Sequence, residues 1–277
     1  MTELPEVETV RRGIEKAALG KMIKSVQVNR RDLRFPLPEN FEKTLAGRKI
    51  ESLARRGKYA LVFLSGGNVM VLHLGMSGRI RIYGGGDVYS PLKHDHVIFT
   101  LADGTRLVFQ DPRRFGYILL LERENWQECA PFALMGPEPL GNNFNGPALL
   151  ARLSGKRTPL KAALLDQNVV AGLGNIYVCE ALYRSKLAPE RLGQSVTAKE
   201  AERLAACIRD VLNDAITAGG STLRDYQKTD GSLGYFQYSF SVYDREGEVC
   251  SSENCGGRIR RIVQGGRSTF YCASCQK

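Results

Sequence analysis

Four cysteines crowd the last 28 residues, as Cys250-x4-Cys255 and, after an interval of sixteen residues, Cys272-x2-Cys275. Two short-spaced pairs form the donor pattern of a tetrahedral zinc site, in which each pair grips the ion from a turn and the interval accommodates a hairpin. Four thiolates leave no open position for water, so a metal held this way is structural. Gly256-Gly257 and Gly265-Gly266 supply the turns. Arg258, Arg260, Arg261 and Arg267 fall between the pairs, and a metal-pinned hairpin carrying guanidinium groups suits phosphate. The other cysteines, Cys129, Cys179 and Cys207, are scattered. An odd total of seven, divided in this way, fits one metal site plus three buried thiols in a reducing compartment rather than a disulfide framework.

Two further stretches carry chemical potential. Glu3, Glu6 and Glu8 surround Pro5 at the start of the chain and suit the positive end of a helix dipole. Gly172-Leu-Gly-Asn175 is a glycine-rich turn before a helical pattern, where free backbone amides can receive an anion. The whole chain of 277 residues carries 39 Lys and Arg against 29 Asp and Glu, a formal +10 that favours a polyanionic partner. Apolar residues at 43% and charged residues at 25% exclude wholesale disorder. No apolar run approaches the roughly 18 residues of a membrane span. The opening MTELPEVETV has acids where a secretory signal has bases, so the expected setting is the cytoplasm.

These groups need elements to position them. Helical signals open the chain and stop at Gly20. Strand patterns follow at Met22–Asn29, Tyr59–Leu64, Val69–Leu74, Arg79–Tyr83, His96–Leu101, Arg106–Gln110 and Phe115–Leu121, with glycine-rich turns between several of them. The stretch Pro131–Pro147 is rich in Gly, Pro and Asn and is the candidate linker. Beyond it, Leu160–Leu165, Ile176–Tyr183 and Ala198–Ala218 have helical spacing, and the last carries Leu204, Cys207, Ile208 and Leu212 on one face. Phe236–Tyr243 is β-like again and leads into the cysteines. The pattern predicts an α+β chain: a β-rich half, a linker, a helical half and a metal-bound tail.

Eight motifs then occur in order: Glu3-Leu-Pro-Glu-Val-Glu8, Arg56-Gly-Lys58-Tyr59, His73-Leu-Gly-Met-Ser-Gly78, Lys93-His-Asp-His96, Asp111-Pro-Arg-Arg-Phe-Gly116, Gly136-Pro-Glu-Pro-Leu140, Gly172-Leu-Gly-Asn-Ile-Tyr177 and the four cysteines. Together they resemble the formamidopyrimidine-DNA glycosylase family over nearly the whole chain. The resemblance implies an N-terminal β-sandwich flanked by helices over 1–130 and a linker over 131–150. It also implies a helix-two-turn-helix domain over 151–235 and a zinc finger over 236–277, with duplex DNA in the cleft between the domains. The implied activity is removal of 8-oxoguanine and formamidopyrimidines, followed by strand cleavage at the abasic site. The implied partner is double-stranded DNA carrying these lesions, and the implied cofactor is one structural Zn2+. Nothing in the sequence signals an oligomer.

Residue by residue, the resemblance assigns Met76, Arg113 and Phe115 to filling the gap left by an extruded nucleotide. Phosphate contacts fall on His94, Arg114, Lys156, Lys161 and Asn175. Glu3 is the implied acid-base carboxylate, Lys58 the implied proton-transfer and substrate-contact lysine, and Arg267 the finger arginine tied to the second elimination. The 221–238 segment, rich in Gly, Ser and aromatics, is the implied lesion-recognition loop. One position departs from the pattern: the family has proline after Met1, and this chain has Thr2. A proline adduct is a permanent iminium, whereas threonine gives an imine that must be protonated to draw electrons. The alternatives are an endonuclease VIII-like enzyme for oxidised pyrimidines, a catalytically weakened damage-binding protein and, with Thr2 terminal, an amidohydrolase.

Overall fold

The computed structural model describes residues 2–223 and 226–277. The chain folds as two compact units, one of residues 1–133 with 218–235 and the other of 134–217 with 236–277. The first therefore takes up the chain twice.

Helix α1 spans Leu4–Ala18, with Glu3 as its N-cap and Pro5 in its first turn. Leu4, Val7, Val10, Ile14 and Ala18 recur at helical spacing and are all buried, giving α1 a single apolar face. The strands that follow are β1 (Ile23–Val28), β2 (Ile50–Arg56), β3 (Tyr59–Leu64), β4 (Asn68–His73), β5 (Arg79–Tyr83), β6 (Asp95–Leu101), β7 (Arg106–Gln110) and β8 (Tyr117–Glu122). A short helix α2 (Phe41–Leu45) lies between β1 and β2. They form two antiparallel sheets of order β1-β6-β7-β5 and β2-β3-β4-β8. One core joins them: Ile23, Phe99, Leu107 and Phe109 from the first sheet, Val62, Met70, Leu72 and Ile118 from the second, and Val10 and Ile14 from α1. This is the expected sandwich.

The order of strands has a direct consequence. The link from β4 to β5 and the link from β7 to β8 each cross from one sheet to the other. Arg79 pairs with Gln110 in the first sheet and His73 pairs with Tyr117 in the second. The two links, residues 74–78 and 111–116, therefore run side by side at one end of the sandwich.

Residues 218–235 return to this unit as a closed excursion. Tyr235 N donates to Ala218 O at 3.0 Å across its base, and Ile82 N on β5 donates to Thr229 O at 3.0 Å. Arg79 reaches Gln227 Oε1 at 2.5 Å. Of the 221–238 segment, Gln227 and Thr229 are thus bonded to the sandwich; Arg224 and Asp225, like Met1, lie outside the residues described.

The second unit contains α3 (Gly146–Leu153), α4 (Leu160–Leu165), α5 (Asn175–Arg184), α6 (Ala198–Thr217) and the hairpin β9 (Ile259–Gln264) and β10 (Arg267–Cys272). Helix α3 begins inside the Gly, Pro and Asn-rich stretch read as linker: Asn145 caps it by accepting from Ala148 N at 2.9 Å, and Pro147 sits in its first turn. The strand expected at Phe236–Tyr243 does not form. Phe236–Ser239 is a short helical turn. Beyond it the buried Glu180 carboxylate of α5 accepts from the backbone N–H groups of Ser241, Val242 and Tyr243 at 2.9, 3.0 and 2.8 Å. A side chain thus takes the place of a strand partner. Glu180→Ala strands the buried Val242 donor and the part-buried donors of Ser241 and Tyr243, and chemical denaturation should show a loss of about 2–3 kcal/mol.

Candidate functional site

Thr2 and Glu3 are both buried, at 4% and 0% exposure. Glu3 and Glu6 form a reciprocal capping box in which Glu6 Oε2 accepts from Glu3 N at 2.9 Å. The other Glu6 oxygen accepts from Ser221 N at 2.8 Å, tying the 218–235 excursion to the first turn of α1. Beneath that contact lies Tyr226, whose hydroxyl donates to Gly219 O at 3.1 Å. Burial, reinforced by the Glu6 charge, pushes this phenol up from its ordinary value and keeps it neutral.

Lys58 occupies the two-residue turn joining β2 to β3, where Gly57 has φ +55°. The β3–β4 register sets Tyr59 opposite His73. The His73 ring stacks on Tyr117 with centroids 4.8 Å apart and lies 4.8 Å from the Tyr59 ring, while the two phenol oxygens meet at 2.9 Å. Its Nδ1 accepts from Gly75 N at 3.2 Å. Burial first, and the Lys58 charge second, pull His73 down to about 4, so at neutral pH it is an uncharged acceptor.

Met76, Arg113 and Phe115 sit on the two adjacent crossovers. Met76 is half-buried and Phe115 is 42% exposed, so neither is a core residue. The Arg113 guanidinium lies 5.0 Å over the Phe115 ring. Gly75 has φ +60°, and a Cβ there would lie 2.4 Å from the carbonyl carbon of Phe115, so the crossovers touch where only glycine fits. Below them Asp111, fully buried, accepts from the Ser77 hydroxyl at 2.5 Å and from Gly116 N at 2.7 Å. Ser77 Oγ in turn accepts from Arg113 N at 3.1 Å. His94 and Arg114 line a cavity of about 430 Å³ with Arg30, Lys93, Asp95 and His96, and Asp32 lies 2.7 Å from Arg30 and 4.0 Å from Arg114, so cations outnumber carboxylates there.

In the second unit, Lys156 is paired with Asp166 at 3.1 Å. Lys161 is fully buried: its ammonium donates to Thr269 Oγ1 at 2.7 Å and to Ser268 O at 3.1 Å, so it holds α4 to β10 instead of presenting charge at the surface. Asn175, the first residue of α5, donates to the same Ser268 oxygen at 2.9 Å. Arg267 opens β10 after the Gly265-Gly266 turn, whose φ values of +55° and +74° give a tight hairpin. It is exposed, beside a cavity of about 280 Å³ shared with Lys161, Leu165 and Gln264.

The sulfur atoms of Cys250, Cys255, Cys272 and Cys275 all lie within 4.8 Å of one another. Two Sγ–Sγ separations are 3.8 and 3.5 Å, close to the about 3.8 Å that a tetrahedron of 2.3 Å zinc–sulfur bonds requires, and all four thiols are free. Around them, the Tyr183 hydroxyl is 3.3 Å from Cys250 Sγ and the Lys186 ammonium 3.7 Å from Cys275 Sγ, contacts that suit a cluster carrying net negative charge. The donor set fits one structural zinc.

The family models of the formamidopyrimidine-DNA glycosylase N-terminal domain, its H2TH domain, and the zinc finger found in FPG and IleRS match residues 1–118, 135–227 and 247–277. The chain belongs to the formamidopyrimidine-DNA glycosylase family. It is 54% identical to the formamidopyrimidine-DNA glycosylase of Beijerinckia indica and 53% to that of Cereibacter sphaeroides, each over 100% of both chains. The crystal structure of the MutM (Fpg) protein of Thermus thermophilus superposes with a TM-score of 0.87 at 41% identity, covering 99% of this chain and 98% of the other. A Lactococcus lactis FPG mutant, complexed with DNA containing Fapy-dG, gives 0.89 at 34% identity, with 99% of each chain covered.

The family's motifs give roles to Met76, Arg113 and Phe115 but none to Ser77 and Asp111, which bond the turns that carry them, nor to His73 or Glu6.

Metal analysis should find one zinc per chain, and Cys272→Ser should abolish stoichiometric binding and lower thermal stability. Because the folded pKa of His73 lies near 4 and its ordinary value near 6.5, the unfolded chain binds the extra proton between them. Stability should therefore fall as pH drops from 6.5 to 4, by at most about 3 kcal/mol from this group. Denaturant midpoints at pH 7 and 4.5 should differ less in His73→Gln than in the parent.

Proposed function

We propose that this chain is a base-excision-repair glycosylase that removes oxidised purines, 8-oxoguanine and formamidopyrimidines, from duplex DNA and then cleaves the strand at the abasic site. The observation that carries the reading is the trio of half-buried Met76 and exposed Arg113 and Phe115 on two bonded crossovers of the unit that also holds Glu3 and Lys58. An apolar wedge flanked by a guanidinium is what extrusion of a base demands, since the gap must be filled and the orphaned partner held. Solved relatives in complexes with DNA containing Fapy-dG and carbocyclic 8-oxo-G support the substrate class. The setting is the bacterial cytoplasm, with the protein acting as a monomer on the nucleoid. No described helix is long and apolar enough to cross a membrane.

In this reading His94, Arg114, Lys156 and Asn175 engage phosphates, and Lys161 fixes the finger that carries Arg267. Removal of Met1 frees the Thr2 amine, whose ordinary pKa of about 7.7–8.0 leaves a neutral fraction at pH 7. The nitrogen lone pair forms a bond to the sugar C1′ as the glycosidic bond breaks and the base departs with a proton. Glu3 then moves protons as the ring opens to a Schiff base. Loss of a C2′ proton expels the 3′ phosphate, with electrons drawn into the protonated imine, and Lys58 and Arg267 assist the proton transfers and second elimination. Zinc supplies no step; Cys250, Cys255, Cys272 and Cys275 hold it to shape the finger.

The test is nicking of a duplex with 8-oxoguanine opposite cytosine, with borohydride trapping, after intact-mass measurement of the N-terminus. The expected result is a covalent adduct and a cleaved strand, with at least a hundredfold loss in Glu3→Gln, roughly the scale of general acid-base catalysis. Thr2→Pro should speed elimination by up to about tenfold, about 1.4 kcal/mol. Preference for thymine glycol would point to the pyrimidine branch, and binding without nicking to a damage-binding protein.

A further inference from the structure

The wedge residues themselves are surface side chains on irregular backbone, and their usefulness depends on a fixed separation. Two turns from different links of the chain carry them. Among the described contacts, two buried side chains, Asp111 and Ser77, bond the turns together. Asp111 Oδ1 accepts from Ser77 of the Met76 turn, and Asp111 Oδ2 accepts from Gly116 N beside Phe115. Ser77 closes the loop by accepting from Arg113 N. On its other side the Asp111 carbonyl oxygen lies 2.8 Å from His96 Nε2, which anchors it to β6. Ser77 is 4% and Asp111 0% exposed, so neither can touch DNA while the clamp is intact. Arg114, between the anchored residues, has φ +59°, a left-handed conformation that a non-glycine residue adopts only when its surroundings enforce it.

We propose that the Ser77–Asp111 pair is the positioning element for base extrusion: it sets Met76 against Arg113 and Phe115 as one rigid head, and so governs entry into the stack and reading of the orphaned base. The pair acts through the wedge and has no part in the covalent steps. This rests on the glycosylase reading above, and the experiment separates the two.

Single-turnover excision of 8-oxoguanine is measured for parent and Ser77→Ala on duplexes bearing each of the four opposing bases. Cleavage of a single-stranded oligonucleotide with a preformed abasic site, which needs no extrusion, is measured alongside. Ser77→Ala removes the bond between the turns and leaves Asp111 with Gly116. Duplex excision should fall about tenfold to a hundredfold, the scale of a misplaced positioning group. The rates for the four opposing bases should converge, while single-stranded cleavage stays within about twofold of the parent. A general loss of fold would lower both substrates together and leave the opposing-base ratio unchanged. Duplex excision and base preference equal to the parent's would overturn the inference, as would an equal loss on both substrates. Failure of the parent on 8-oxoguanine would instead refute the glycosylase reading. Should Ser77→Ala not fold, Ser77→Cys serves for the same comparison, because a thiol of similar size is only a weak donor.

Discussion

A sandwich whose strands alternate between two sheets must send its chain across the gap, and here two crossings lie side by side at one end. Irregular backbone buried at such a place cannot bond to a strand neighbour, so its polar groups need partners from side chains. The Asp111 carboxylate meets that need with one oxygen for each crossing. The same solution recurs through the fold. Glu6 holds the backbone of Ser221, Asp95 holds Leu92 N and the Tyr89 hydroxyl, and Glu180 holds three successive amides. Each carboxylate is buried, and each is compensated by several directed donors. Function collects where these anchored loops come to the surface.

The regular parts of this fold were legible in the sequence wherever burial has a period. β3, β5, β7 and α4 fall on Tyr59–Leu64, Arg79–Tyr83, Arg106–Gln110 and Leu160–Leu165, the spans read from patterning alone. Strand β2 was not visible because it is an edge strand: Ile50 and Leu53 are its only buried residues, too few to give an alternation. Helix α3 was hidden by its own start signals, since Asn145, Gly146 and Pro147 are cap and first-turn residues as readily as linker residues. Phe236–Tyr243 shows the opposite error, an aromatic alternation whose amides are claimed by a glutamate from α5.

The candidate site divides along the same line. The four cysteines announce themselves by spacing, because a metal demands fixed ligands. The Met76 and Arg113 turns could be recognised only as motifs, and their mutual placement depends on strand register that no local pattern encodes. Buried carboxylates leave no signature at all; Asp111 and Glu180 look like any surface acid until the fold closes over them. Lys161 carries the same lesson for cations: the resemblance implies a phosphate contact, and only the fold reveals that its ammonium also bonds Thr269 inside the protein.

That bond has a thermodynamic consequence for the helical unit. Lys161 sits on α4, but its acceptors, Ser268 and Thr269, belong to the hairpin whose ends the cysteines hold. If the hairpin opened, Lys161 would lose the acceptors that Ser268 and Thr269 supply. Hydrogen bonds from a charged donor of that kind contribute about 1.5–3 kcal/mol each. Occupancy at the sulfur cluster is thereby linked to the integrity of a helix that contributes no ligand to it. Through the bonds of Lys161 and Asn175 to Ser268, part of the ion's binding energy therefore bears on helices behind the hairpin.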